Sequence, residues 1–180
     1  MITAAFLALA CASGLQEPAA QPITHQIVPV LTMTGDKSRM PGPRFVVCGD
    51  QKALDAVWTR HTGQPAKVYY SPSPAPIVDF ARYMVVFVFE GASGNSQGIS
   101  FNKVAEAADA IHIGFRNYGF QSAGPDGGGS AVEPWGLAVL PRSDKQLVIE
   151  NDRRGLQPGP PIWVKEGQVS LKGKRDSFKF

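Results

Sequence analysis

The apolar positions of this chain follow two patterns, and one gives way to the other near its middle. Residues 84–89 read MVVFVF, an unbroken apolar run between Asp79 upstream and Glu90-Gly91 downstream. Its β-branched and aromatic side chains fit a pleated surface, and the missing polar positions predict a strand covered on both faces. Beyond it the pattern alternates. Ile99 and Phe101, then Ile111, Ile113 and Phe115, share one parity, while Ser100, His112, Gly114 and Arg116 share the other. These segments predict strands with one dry and one wet face.

Helical spacing occurs at Ala53, Leu54, Val57, Trp58 and His61, with Asp50 placed to cap the first turn and Gly63 to end the last. A helix over residues 50–61, anchored by Trp58, is the prediction. Residues 23–33 (ITHQIVPVLTM) predict an edge strand, where Pro29 is tolerated because an edge residue need not donate to a ladder. Gly35-Asp36 and the Pro-Gly-Pro at 41–43 are turn chemistry, and residues 44–48 form the next strand. Residues 69–76 (YYSPSPAP) are a proline-stiffened connector.

Further on, residues 135–140 (WGLAVL) and 147–150 (LVIE) flank a short polar connection, the spacing of antiparallel neighbours. Residues 162–165 and 169–172, joined by Glu166-Gly167, predict a last hairpin that either completes the sheet or projects as an arm. The fold class is therefore mainly β (α+β), an antiparallel β-sheet or sandwich with one packed α-helix.

Composition narrows the function classes. The 180 residues allow one domain large enough to bury its own core, and 19 Gly with 15 Pro imply many turns. The whole net charge of +3 lies in residues 165–180, where Lys172, Lys174, Arg175 and Lys179 gather. A few cations at a chain end read as a solubilising fringe, so no nucleic-acid partner is expected.

Residues 1–12 resemble a signal peptide: the apolar run ends in Ala8-Leu9-Ala10 and Ala10-Cys11-Ala12, both small-x-small. An extracytoplasmic protein, periplasmic or secreted, is expected. Cys11 after a small residue gives a lipoprotein reading, and a membrane enters only if Cys11 is lipidated. Residues 13–22 are a polar Pro/Ala spacer, 23–154 the β-rich domain, and 155–180 a Pro/Gly linker with a basic hairpin.

Candidate chemistry is sparse. Cys48, inside an apolar strand, reads as a buried inert thiol, and His61, closing an apolar stripe, as a packed histidine. Residues 94–98 (GNSQG) fit G-x-S-x-G, the turn that projects a nucleophilic serine above a sheet. That motif requires a helix directly after Ser96, whereas Ile99-Ser100-Phe101 alternates as a strand. His112 and Asp109 lie together beyond it, ill placed to serve Ser96 as base and orienter. The glycines read instead as hairpin residues with positive backbone angles. The loop at 124–129 (GPDGGG) offers calcium only one carboxylate, Asp126. His25, His61 and His112 lack ligand spacing, and no phosphate-cradling or dinucleotide motif is present. Neither catalytic residue, metal nor cofactor is expected.

Residues 35–47 (GDKSRMPGPRFVV), Leu54 with Val57-Trp58 and His61, Val78-Asp79-Phe80, and Met84-Val85-Val86 followed by Glu90-Gly91 resemble the C-terminal domain of the protease complex subunit PrcB family, over about residues 23–150. The resemblance implies an extracytoplasmic, mostly β domain without known catalytic residues, associated in some members with a surface protease complex. The chain departs from the family at residues 95–99 and after Gly155. A non-catalytic exported accessory or protein-binding domain follows as the expectation, stabilising an envelope or surface complex, with another protein, an extracytoplasmic protease by the resemblance, as partner. Its contact surface would be the turn 91–98 and the loop 122–134, through Ser93, Asn95, Ser96, Gln97 and Asp126. The alternatives are a loop-presenting protease inhibitor and, ranked last, a serine hydrolase using Ser96.

Overall fold

A computed structural model describes residues 25–64, 74–121, 129–155, 158–171 and 178–179. Among them, the strands are β1 (His25–Gln26), β2 (Leu31–Gly35), β3 (Arg44–Cys48), β4 (Tyr83–Phe89), β5 (Ser93–Gly94), β6 (Ser96–Glu106), β7 (Ala110–Gly119), β8 (Ala131–Val132), β9 (Trp135–Pro141), β10 (Gln146–Asp152), β11 (Trp163–Val169) and β12 (Phe178–Lys179), with helix α1 (Gln51–Thr62) between β3 and β4. The chain is mainly β, as its periodicity predicts. One five-stranded sheet runs β12-β3-β4-β9-β2, the other β1-β6-β7-β10-β11, and β5 pairs with β8 alone.

The unbroken apolar run explains the layering. In β4, Met84, Val86 and Val88 join a core shared with Ile99, Ile111, Ile113, Phe115, Leu147 and Ile149 of the other sheet. The alternate positions, Val85, Phe87 and Phe89, join a second core with Leu54, Val57 and Trp58 of α1. The β3-β4-β9 sheet is thus the middle of three layers, and β4 lies at its centre. Full burial of Val85, Val86, Phe87, Val88 and Phe89 follows. Strands of the β6-β7-β10 sheet have one covered face and alternate accordingly.

Helix α1 forms where its spacing places it. Asp50 Oδ1 accepts the Ala53 amide at 2.7 Å, and Gly63, at φ 70°, donates its amide to the Thr59 carbonyl. Both ends of the helix are therefore satisfied by neighbouring backbone and one carboxylate. Its buried face is Leu54, Val57, Trp58 and His61. The His61 imidazole lies 4.2 Å, centroid to centroid, from the Trp135 ring of β9, and its Nδ1 is 2.9 Å from Ser38 Oγ. Burial lowers its pKa to about 4. Cys48 is fully buried, and burial, helped by the Asp50 charge, pushes its thiol up to about 12. Both residues are packing groups, as read from the sequence.

Four expected pairings are replaced. The described part of the expected 23–33 edge strand, residues 25–33, is not one strand: β1 lies at the edge of one sheet against β6, and β2 at the edge of the other against β9. Pro29 falls in the crossing between them, where no ladder needs its missing donor. Strands β9 and β10 are likewise not neighbours. β9, apolar throughout, needs the doubly covered middle sheet, while alternating β10 joins the outer one, parallel to β7 and antiparallel to β11. That parallel pair makes the outer sheet mixed. The same reasoning removes the hairpin at 91–98, because β4 and β6 belong to different sheets and the glycine-rich segment carries the chain between layers.

Finally, Glu166-Gly167 does not reverse the chain. Ile149 pairs with Gly167 and Glu150 with Lys165, so Glu166 is the extra residue of a bulge within the continuous strand β11. β12 pairs with β3 at Val46 and Val47, so the tail contributes a strand to each sheet. On the wet face His112 and Arg116 are half-buried, but Gly114 is covered: a Cβ there would stand 2.6 Å from the Trp163 ring.

Candidate functional site

Strands β4, β6, β7 and β9 bring one of their ends to the same place, and the segment joining the layers runs across it. Asn95, at φ 49°, is its fastening point. Its amide donates to the Ser130 carbonyl at 3.0 Å, its Oδ1 accepts the Ser130 amide at 2.9 Å, and its carbonyl accepts the Phe120 amide at 2.8 Å. Three separate stretches of chain are tied through this one residue. Pairing of β5 with β8, at Ser93↔Val132 and Gly94↔Ala131, extends the tie.

Of the residues predicted to form the contact surface, the structure brings Ser93, Asn95, Ser96 and Gln97 together on this rim, and Gln97 is exposed. Asp126 lies outside the described residues, as does most of the loop 122–134, the part up to residue 128. Ser96 differs from its expected role. Its side chain is buried at 2% exposure, its Oγ accepting the Gly98 amide at 3.0 Å and donating to the Gly98 carbonyl at 3.3 Å. It shapes the turn from inside. Gly98, at φ 124°, packs on β2, where a Cβ would meet the Gly35 amide nitrogen at 2.7 Å.

No helix follows Ser96; β6 does. Ser96 lies opposite Gly119 and His112 opposite Ala105, which separates the two side chains by roughly 20 Å at ~3.3 Å per residue. His112 Nδ1 stands instead 3.5 Å from Glu150 Oε2, which Lys103 Nζ holds at 2.7 Å. Asp109 belongs to the turn before β7. Serine, histidine and aspartate are not brought together. Among the described residues, no group of three His, Cys, Asp or Glu side chains is close enough to hold a metal ion.

Two features at this end escape the sequence patterns. Tyr118 and Phe120, at the end of β7 beside Asn95, are 58% and 40% exposed. A recess of about 200 Å³ opens between the layers, walled by Pro43, Phe45, Val88 and Phe115, with Glu90, Asn151, Arg153 and Glu166 among its polar lining. Glu90 Oε2 is buried without a hydrogen-bond partner, and so is Asn117 Oδ1. Asn117 Nδ2 reaches Ser93 Oγ at 3.3 Å. Burial raises the Glu90 pKa, against the hydrogen bond from Asn117 and the charge of Arg153, with Glu166 adding to the rise. Arg153 is itself engaged, its Nε 3.0 Å from Glu166 Oε1. The signal for Glu90 was its position, a carboxyl directly after a run buried on both faces, which carries it into the interior's margin.

At the opposite end of the outer sheet a larger depression of about 650 Å³ lies between the turns at Asp109 and Asp144. Its lysine, Lys145, is occupied by the Ala107 carbonyl at 2.8 Å and Glu106 at 2.9 Å. No described helix is long and apolar enough to cross a membrane. No protein-family model matches this chain, and no curated protein or solved structure matches it either.

Proposed function

We propose that this chain is a non-catalytic, exported protein-binding domain that docks a partner on the rim around Asn95. The observation carrying this reading is the pair of exposed aromatic rings, Tyr118 and Phe120, fixed beside a rim that Asn95 ties to two other stretches of chain. Aromatic side chains lose little conformational freedom on burial and dominate protein interfaces. A backbone already held in place adds no further ordering cost. The likeness to the PrcB family and the signal-peptide-like segment support an extracytoplasmic accessory role, with a protease complex as the first partner to test.

A photo-crosslinking residue placed at Gln97 in the full chain, and separately at Ile77 on the helix side, tests it in envelope extract. One defined adduct from Gln97, absent from Ile77 and lost in Tyr118→Ala/Phe120→Ala, is the expected result. No adduct from Gln97, or identical adducts from both positions, would reject the reading.

A further inference from the structure

We propose that the outer face of the β6-β7-β10-β11 sheet receives an extended acidic segment of a partner protein, with the pattern apolar-x-acid-x-apolar. Alternation along β7 puts Gly114, Arg116 and Tyr118 on that face. Register adds Lys103 and Glu150 beside Gly114, Lys165 beside Glu150, and Trp163 beside Asp152. The Trp163 ring reaches across to cover Gly114, where a Cβ would stand 2.6 Å from it, and Lys103 Nζ lies 5.3 Å from its centre. Two aromatic groups, Tyr118 exposed and Trp163 half-buried, therefore flank Arg116.

Charge names the partner. The carboxylates of this face are covered and already matched: Glu150 holds Lys103 at 2.7 Å, and Asp152, its side chain fully buried, holds Arg154 at 3.0 Å. Arg116 adds to the field at Asp152 after Arg154, and its guanidinium donates to the Gly155 carbonyl. Lys165 is exposed. Four cations thus stand against two carboxylates, so the face attracts an acidic segment and repels a basic one. Two surplus charges are few for a phosphate backbone, whose binding grows with the number of phosphates neutralised, and match a peptide with one or two acids. Spacing names the motif. From Gly114, under the Trp163 ring, to Tyr118 is about 13 Å at ~3.3 Å per residue, the span from the first to the fifth residue of an extended peptide. Side chains one, three and five of that peptide point the same way, so an acid at the third meets Arg116 while its apolar neighbours rest on Trp163 and Tyr118. The inference rests on the protein-binding reading, with which it shares Tyr118.

The test is a titration of the full chain with the acetylated, amidated peptide Leu-Thr-Asp-Thr-Leu, followed by NMR at the Trp163 indole N–H and the Gly114, Arg116 and Tyr118 amides. Saturable shifts are expected, weakened about three- to fivefold when the probe carries Asn in place of Asp, and by a similar factor in Arg116→Gln. In that variant the Asp and Asn probes should bind alike, because both changes remove one charge pair. Tyr118→Ala should weaken both probes. The Asn probe reads the charge on the unaltered chain, so the comparison holds even if Arg116→Gln fails to fold. No saturation below about 5 mM, equal binding of the Asn probe, or equal binding of Leu-Asp-Thr-Thr-Leu, whose acid points away from the face, overturns the proposal. The same shifts from oligothymidylate or phosphatidylglycerol vesicles at lower concentration also overturn it, assigning the face to phosphates. Crosslinking at Gln97 reports a partner of any sequence: an adduct there without peptide binding rejects this motif alone, and the absence of both rejects the docking reading as well.

Discussion

His61 shows how one residue ties helix to sheet and leaves a signature in solution. Its ring fills the space between Trp58, Phe89 and Trp135, and Ser38 Oγ, already accepting the Met40 amide at 3.0 Å, has its proton left to donate to Nδ1. Burial holds the native imidazole neutral to about pH 4, whereas an unfolded histidine ionises near ~6.5. Between those values the unfolded chain binds a proton that the native chain does not, so stability falls as pH drops through that window. Urea unfolding should show a loss of roughly 1–2 kcal/mol between pH 7 and pH 5, and His61→Phe, which keeps a ring against Trp135, should remove most of it. An unchanged pH slope in that variant would contradict the neutral, buried state. The spacing at 53–61 placed His61 on the packed face, but the Trp135 ring that meets it comes from distant sequence.

At the scale of elements, each strand's hydrophobic pattern identifies its layer. The unbroken runs β4 and β9 occupy the middle sheet, and alternating β6, β7 and β10 occupy the outer one. Every connection between the two kinds of strand therefore crosses between sheets, which a search for hairpins between sequence neighbours misses. Gly98 marks one such crossing. Its φ of 124° and the closeness of the Gly35 backbone leave no room for a side chain. Gly98→Ala should cost about 2–3 kcal/mol in chemical unfolding, while Gly94→Ala, whose Cβ would meet nothing within 4 Å, should change stability by about 0.5 kcal/mol or less. Equal effects at the two glycines would argue that the turn is not pressed against β2.

Across the whole molecule, the tail belongs to the sheets. β11 covers the edge of β10, Val169 and Leu171 enter the inter-sheet core, and Asp152 Oδ1 accepts the Ile162 amide at 2.9 Å to set the approach. A chain ending at Gly155 should lose about 3–6 kcal/mol from those two apolar side chains alone, enough to abolish or nearly abolish a cooperative urea transition for a domain of ordinary stability. A truncated chain with an unchanged midpoint would instead mark residues 156–180 as an appendage. The proposed binding end is also a whole-molecule property. Glu90, Asn117 and Arg153 come from three separate connections or strands, and nothing in their spacing announces that they meet.

By itself, the sequence determined the features that depend on neighbours along the chain: the helix with its Asp50 and Gly63 ends, the β-rich class, and the double burial of residues 84–89. Capping, periodicity and backbone preference act over a few residues, so a linear reading captures them. Only the tertiary structure decided which strands pair, that β7 and β10 run parallel, that Glu166 sits in a bulge, and that a recess opens beside Glu90. Those outcomes are set by how two sheets and a helix jointly cover apolar faces, a condition satisfied by residues far apart in sequence.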